Sequence, residues 1–216
     1  MRKIKAYAMP ALLSVCIASV GFRRAAFHND QWACLPFNGD AVIVILYLVW
    51  MLYETCISGV DAVQNKKVSD YGTKQFYGFS HSLTILTALW FPPLFAKPGM
   101  YQCAGFIIFL TGVIFRIWAI RTLGQYYSHT VRTIAQHRIV DTGPYAFLRH
   151  PAYAGMIAAH IGITLFFCNY ITAAVFVILL VPSIIVRILV EEKMLMELDG
   201  YAAFAKTRKR LVPFLW

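Results

Sequence analysis

Charge is scarce in this sequence, and acidic charge scarcest. Only 14% of its 216 residues are Asp, Glu, Lys or Arg, with ten acidic side chains against twenty basic ones. An average soluble domain carries about 25% charged residues, so much of this chain is not built to face water. The basic excess does not point to nucleic acid, because no loop combines a basic stripe with interleaved aromatics. The five cysteines (Cys16, Cys34, Cys56, Cys103, Cys168) show no C-x-x-C spacing, and four fall in apolar stretches. They read as small buried hydrophobes, neither a disulfide framework nor a zinc pattern. H-E-x-x-H, the P-loop, the nucleophile elbow and G-x-G-x-x-G are all missing, which removes the support for a metalloprotease, a nucleotide-cradling loop, an α/β-hydrolase and a Rossmann site. His81 and His160 lie in apolar segments without a second ligand at metal spacing, so they read as core histidines and no metal is expected. No internal repeat or low-complexity run breaks the chain.

What remains is apolar: 59% of the residues are hydrophobic. Crossing about 30 Å of hydrocarbon takes roughly twenty apolar residues, and 17 suffice. Six segments qualify: residues 6–22, 41–57, 76–95, 101–123, 152–167 and 171–190. The basic start followed by an apolar run resembles a signal peptide, but Arg23 and Arg24 replace a small-residue cleavage site, so the run reads as a first span. The expected fold is an all-α integral membrane protein with about six transmembrane helices, or five and a partial one. The last two, separated by Cys168, Asn169 and Tyr170, should form an antiparallel hairpin. One domain is expected, with residues 1–100 as N-terminal spans and 101–216 as the core.

Basic residues set the orientation. With the N-terminus inside, fifteen fall on the inner side: Arg2, Lys3, Lys5, Lys66, Lys67, Lys74, Arg121, Arg132, Arg138, Arg149, Lys193, Lys206, Arg208, Lys209 and Arg210. Three (Arg23, Arg24, Lys97) fall outside. That asymmetry predicts both termini in the cytoplasm.

On that inner side lies the least membrane-like stretch, His137 to Gly155, reading HRIVDTGPYAFLRHPAYAG. Gly143-Pro144 makes a rigid turn that aims Tyr145 or simply starts a helix. Pro151 suits a first helical turn, which puts His150 at a helix N-terminus where orphan N–H groups favour anionic ligands. Tyr, Arg and His also populate ordinary membrane interfaces. Forty residues on, Arg187 and Glu191 are four apart and can share a helix face, with Glu192 one position round. Ionisable groups at the edge of a span mark a site unless they merely cap it. Arg116, late in the fourth span, either snorkels to the surface or reaches a polar site.

Taken in order, His137-x-Ile139-Val140, Gly143-Pro144-Tyr145, Arg149-His150-Pro151-x-Tyr153-x-Gly155 and Arg187-x-x-x-Glu191-Glu192, with Tyr201 and Pro213, resemble the isoprenylcysteine carboxyl methyltransferase family. That family belongs with other membrane methyltransferases, phospholipid N-methyltransferases among them. The resemblance covers about the last hundred residues. It departs in the tail, where Gly200 directly precedes Tyr201 and Phe204 stands at the second tyrosine position. It implies S-adenosylmethionine as cofactor, in a cytoplasmic pocket lined by His137, Arg138, Ile139, Val140, Gly143, Pro144, Tyr145, His150, Pro151, Ala152, Tyr153 and Glu191. It implies Arg187, Glu191 and Glu192 as the catalytic set, with Arg187 toward a lipophilic substrate drawn from the membrane; Arg116 joins the substrate side on the polar-site reading of its position. The expected reaction is carboxyl O-methylation of a prenylcysteine-like acceptor. A phospholipid amine or small thiol acceptor, or a non-enzymatic membrane protein or transporter, are the competing readings.

Overall fold

A computed structural model describes residues 2–27, 38–61, 72–95, 99–127 and 139–212. Its helices are α1 (Arg2–Phe27), α2 (Gly39–Asp61), α3 (Thr73–Trp90), α4 (Met100–Leu123), α5 (Pro151–Phe167), α6 (Tyr170–Val175), α7 (Val181–Leu195) and α8 (Tyr201–Thr207). Among the described residues there is no strand, only an isolated parallel bridge between Leu148 and Lys209. Each of the six apolar segments falls on helix, the third only as far as Trp90. Gly39–Ile57, Met100–Leu123 and Tyr170–Leu195 are long and apolar enough to cross a membrane, while Pro151–Phe167 is apolar but shorter. Large apolar side chains such as Ile45, Val49, Leu52, Ile107, Ile114, Val177 and Ile178 face outward. An apolar exterior of that extent belongs in lipid and not in water.

Two prolines shape the helix ends and one bends a rod. α3 stops at Trp90 because Pro92 and Pro93 follow, and Phe91 is already extended (φ −88°, ψ 146°). Pro182 lies near the middle of the last long rod, Tyr170–Leu195. It offers no N–H to the preceding turn, and the backbone widens into a π turn over Phe176–Leu180 just before it. The Ser183 hydroxyl donates to the Leu180 carbonyl (2.7 Å). The rod continues as α7.

Close helix approach follows the small residues. α4 and α5 pack antiparallel through Gly105 and Gly112 on one helix and Gly155 and Gly162 on the other. A Cβ at Gly112 would sit 2.3 Å from the Ala159 amide nitrogen, and one at Gly162 would sit 2.3 Å from that of Phe109. The backbones therefore touch, as in small-residue interfaces within membranes. α6 and α7 lean mainly on α3, where Thr172 and Thr87 hydroxyls meet at 3.4 Å. The expected antiparallel hairpin of the last two apolar segments is present but packs loosely on itself. The turn exists, with Cys168 in a left-handed conformation (φ 41°) and the Asn169 side chain capping Thr172 (2.8 Å). Yet α5 makes its tightest contact with α4 and not with the rod that follows it, because the glycines face α4.

The bundle has two distinct polar ends. At one, Arg24 pairs with Asp40 (2.6 Å), donates to the carbonyls of Leu89 (3.3 Å) and Phe91 (3.1 Å), and so ties α1, α2 and α3. Leu94 donates to the Cys168 carbonyl there (2.8 Å). Cys103, at the same end of α4, is disulfide-bonded, whereas Cys16, Cys56 and Cys168 are free. The reading of the cysteines as buried hydrophobes is thus corrected among the described residues: Cys103 is cross-linked, and Cys16 and Cys56 are exposed. The opposite end gathers the ends of α2, α4 and α7 with the starts of α3 and α5, and it holds the site.

Candidate functional site

A cleft opens at that second end. Its walls come from the end of α4 (Arg116, Leu123), the turn after it (Tyr126, Tyr127), the run before α5 (Ile139, Val140, Tyr145, Arg149, His150), the start of α5 (Ala152, Tyr153), the end of α7 (Glu191, Met194, Leu195) and the tail (Leu198, Tyr201, Phe204). Such a mix of aromatic walls and few convergent polar groups suits a small-molecule site.

Local sequence explains the placement. Pro151 occupies the first turn of α5 with His150 as N-cap, as expected. Gly143 adopts φ 56° and opens a 3-10 turn over Gly143–Ala146, where the amides of Phe147 and Leu148 donate to the Pro144 carbonyl (3.2 and 3.1 Å). That turn delivers Tyr145 into the cleft with 6% exposure.

Three ionic groups organise the floor and rim. Arg116, 1% exposed, forms a two-pronged pair with Glu54 of α2, Nε to Oε1 at 2.6 Å and Nη2 to Oε2 at 2.9 Å. It also donates to the Ala152 carbonyl (2.9 Å) and the Tyr127 hydroxyl (3.1 Å), and Trp50 Nε1 donates to Glu54 (2.9 Å). Next, Arg187 Nε donates to the Tyr153 hydroxyl (2.8 Å), which donates to Glu191 Oε2 (2.9 Å). Arg187 also lies over the Tyr77 ring (5.6 Å) and reaches Thr73 (3.4 Å). Finally, Glu192, 4% exposed, accepts from Arg149 Nη1 (2.7 Å) and Arg210 Nε (2.8 Å) and lies 3.2 Å from His150 Nε2.

The expected residues sort accordingly. Ile139, Val140, Tyr145, His150, Ala152, Tyr153, Glu191 and Arg116 line the cleft. His137 and Arg138 lie outside the described residues. Gly143, Pro144 and Pro151 do not line it; their backbones shape the two turns that present Tyr145 and His150. Arg116 does not snorkel: its guanidinium turns into the bundle because Glu54 offers a carboxylate there. Arg187 and Glu191 meet through the Tyr153 hydroxyl as intermediary. Glu192, expected among catalytic groups, is absent from the cleft wall, since its carboxylate is taken up by Arg149, His150 and Arg210. Sequence reasoning missed Glu54 as the partner of Arg116 and missed Tyr126 and Tyr127. The paired tyrosines just past an apolar segment were the available signal.

The phenols at the mouth are tuned by burial. Desolvation pushes up the Tyr145 and Tyr201 hydroxyls, with the Glu191 charge adding in both and Glu192 in Tyr201. Burial likewise pushes Tyr127 up, partly opposed by Arg116. All three remain neutral donors at physiological pH. The Glu192 hydrogen bond holds the Arg210 guanidinium above its ordinary range. Tyr201 Oη is buried and lacks a partner among the described residues.

Residues 105–197 match the model of the isoprenylcysteine carboxyl methyltransferase (ICMT) family. Protein-S-isoprenylcysteine O-methyltransferase of Saccharomyces cerevisiae is 34% identical over 134 residues, 56% of this chain and 55% of the relative. Protein-S-isoprenylcysteine O-methyltransferase A of Arabidopsis thaliana is 28% identical over 165 residues, 72% of this chain and 83% of the relative. The uncharacterized protein YpbQ of Bacillus subtilis is 28% identical over 162 residues, 71% of this chain and 96% of the relative. Among solved structures, the eukaryotic intramembrane Ras methyltransferase ICMT aligns over 99% of this chain and 96% of its own, with a TM-score of 0.50 and 16% identity, a likeness of fold.

Proposed function

We propose that this chain, which belongs to the isoprenylcysteine carboxyl methyltransferase family through residues 105–197, is an integral membrane methyltransferase that uses S-adenosylmethionine to methylate the carboxylate of a lipophilic, prenylcysteine-like acceptor. The observation that carries the reading is the Tyr153 hydroxyl. It joins Glu191 in the cleft wall to Arg187 on the bundle side. A polar donor molecule on one side and an acidic lipid on the other would meet across it.

The cleft suits the cofactor by its chemistry. Tyr126, Tyr127, Tyr145 and Phe204 offer flat faces for an adenine ring. Glu191 is engaged among the described residues only at Oε2, which leaves an oxygen for a ribose hydroxyl or an ammonium group. The orphaned Tyr201 hydroxyl supplies a further hydrogen-bonding group. Ile139, Val140, Ala152 and Tyr153 complete the lining, with His150 as a polar contact.

S-adenosylmethionine supplies an electrophilic methyl group on a sulfonium sulfur. Arg187 presents a planar fork that matches a carboxylate, with its Nε committed to Tyr153 and its charge buried at 3% exposure. A carboxylate is ionised at neutral pH, so no general base is required, and the mouth phenols act as donors. Burial of Arg187, with Tyr153 half-buried beside it, limits water and strengthens these contacts. The cytoplasmic orientation of the cleft is supported by the basic-residue asymmetry. The Cys103 disulfide at the other end of α4 supports it too, since disulfides persist on the oxidising side of a membrane.

Calorimetry with S-adenosylhomocysteine in detergent tests the cofactor. Binding is expected for the unaltered chain and loss of binding for Glu191→Ala. Arg187→Ala should reduce turnover roughly ten- to a hundredfold with little change in cofactor affinity. Labelled methyl transferred to phosphatidylethanolamine and not to N-acetyl-S-farnesylcysteine would overturn the acceptor.

A further inference from the structure

Glu192 lies outside the cleft wall, yet two parts of that wall depend on it. His150 is 4% exposed, and its Nε2 lies 3.2 Å from Glu192 Oε1. The same oxygen accepts from Arg149 Nη1 at 2.7 Å. A carboxylate only accepts, so the imidazole hydrogen sits on Nε2. In the neutral ring, Nδ1 then carries a lone pair. Among the described residues Nδ1 makes no hydrogen bond, and the ring lines the cleft.

The other Glu192 oxygen holds the tail. Arg210 Nε and Nη2 both lie 2.8 Å from Oε2. Backbone bonds follow in register: Arg149 N–H donates to the Lys209 carbonyl (2.8 Å) and His150 N–H to the Arg210 carbonyl (3.0 Å). Arg149 Nε adds a bond to the Arg208 carbonyl (2.9 Å). This short parallel pairing seats α8, whose Tyr201 and Phe204 line the same cleft. The tail leaves α7 through Gly200 at φ 83°, a conformation that glycine adopts freely.

We infer that Glu192 is a positioning residue of the cofactor cleft: it turns the His150 Nδ1 lone pair toward an O–H or N–H donor of the ligand and ties the α8 wall in place. The inference rests on the reading that this cleft takes S-adenosylmethionine, whose ribose hydroxyls and α-ammonium are such donors. A carboxylate that only knitted helices together would leave the tautomer of a cleft histidine and the cofactor affinity unmoved.

The full chain labelled with 15N-histidine in micelles tests this directly, because only six histidines contribute signals. His150→Gln assigns the His150 resonances. The ligand-free chain should show the Nε2–H tautomer at His150, and S-adenosylhomocysteine should shift Nδ1. Glu192→Gln should weaken S-adenosylhomocysteine binding roughly tenfold, as lost outer partners do, with the KM for the acceptor unchanged and partial rescue by Glu192→Asp. An Nδ1–H tautomer in the unaltered chain overturns the inference, and so does wild-type affinity in Glu192→Gln. If the unaltered chain binds no S-adenosylhomocysteine, the cofactor reading itself fails and this assignment with it. The tautomer measurement on the unaltered chain stands even where a substitution prevents folding.

Discussion

Removing the Glu54 carboxylate is the sharpest test of how the cleft floor is held. Arg116 has 2% side-chain exposure and Glu54 13%, so the pair is shielded from water. Glu54→Ala strips two charge-assisted bonds, at 2.6 and 2.9 Å, from a guanidinium that cannot lose its proton. The Ala152 carbonyl and Tyr127 hydroxyl remain as neutral acceptors and do not balance the charge. Leaving one partner of a buried pair alone costs about 3–5 kcal/mol. Replacing both partners with apolar residues is often near neutral, because the desolvation penalty of two ions disappears with them. Arg116→Met with Glu54→Leu should therefore recover most of the stability that Glu54→Ala loses. Cofactor affinity should not recover, since Arg116 lines the cleft and holds Tyr127. The assay is thermal unfolding in a single detergent beside S-adenosylhomocysteine calorimetry, run as a double-mutant cycle. Equal stability of Glu54→Ala and the unaltered chain would refute the argument. So would a double variant as unstable as the sum of its singles.

The glycine interface gives a paired test. A Cβ at Gly112 meets the Ala159 nitrogen at 2.3 Å and its Cα at 2.8 Å, so Gly112→Ala must push α4 from α5 and cost about 1–3 kcal/mol. A Cβ at Gly78 meets nothing within 4 Å, so Gly78→Ala in α3 should gain about 0.5–1 kcal/mol. Thermal midpoints moving in the same direction for both would contradict this packing account. Alkaline titration tests the phenols. Tyr127, Tyr145 and Tyr201 are raised in the fold by burial, so folding favours their protonated forms. Their contribution is whole below the ordinary phenol value of about 10 and disappears as pH rises through the higher folded values. Thermal stability should hold to about pH 9.5 and decline above about 10. A decline centred below pH 9 would assign the loss to other groups.

Much of the fold was legible in the chain because membrane helices announce themselves by length and apolarity. Pro151 marked the start of α5, since proline acts through its own backbone wherever it stands. The polar run from His137 to Gly155 was recognisable for a similar reason: it has no place in hydrocarbon. Partners distant in sequence were not legible. Glu54 and Arg116 lie 62 residues apart, and nothing local in either segment names the other. The partners of Glu192 were not legible either, because spacing tells which face a residue shares with Arg187 and Glu191, but not which cations arrive from elsewhere. Arg210 does so through the tail.

By itself the sequence determined an all-helical membrane chain, the polar run that interrupts it, and the Arg187-to-Glu192 segment that answers that run. Those features depend on composition and short-range backbone chemistry. Tertiary structure alone decided which helices touch, through glycines that admit backbone against backbone. It decided that Tyr153 stands between Arg187 and Glu191, and that the Glu192 carboxylate meets Arg149, His150 and Arg210. Such outcomes rest on distances between groups far apart in the chain, and burial makes those distances count because water is not there to screen a misplaced charge.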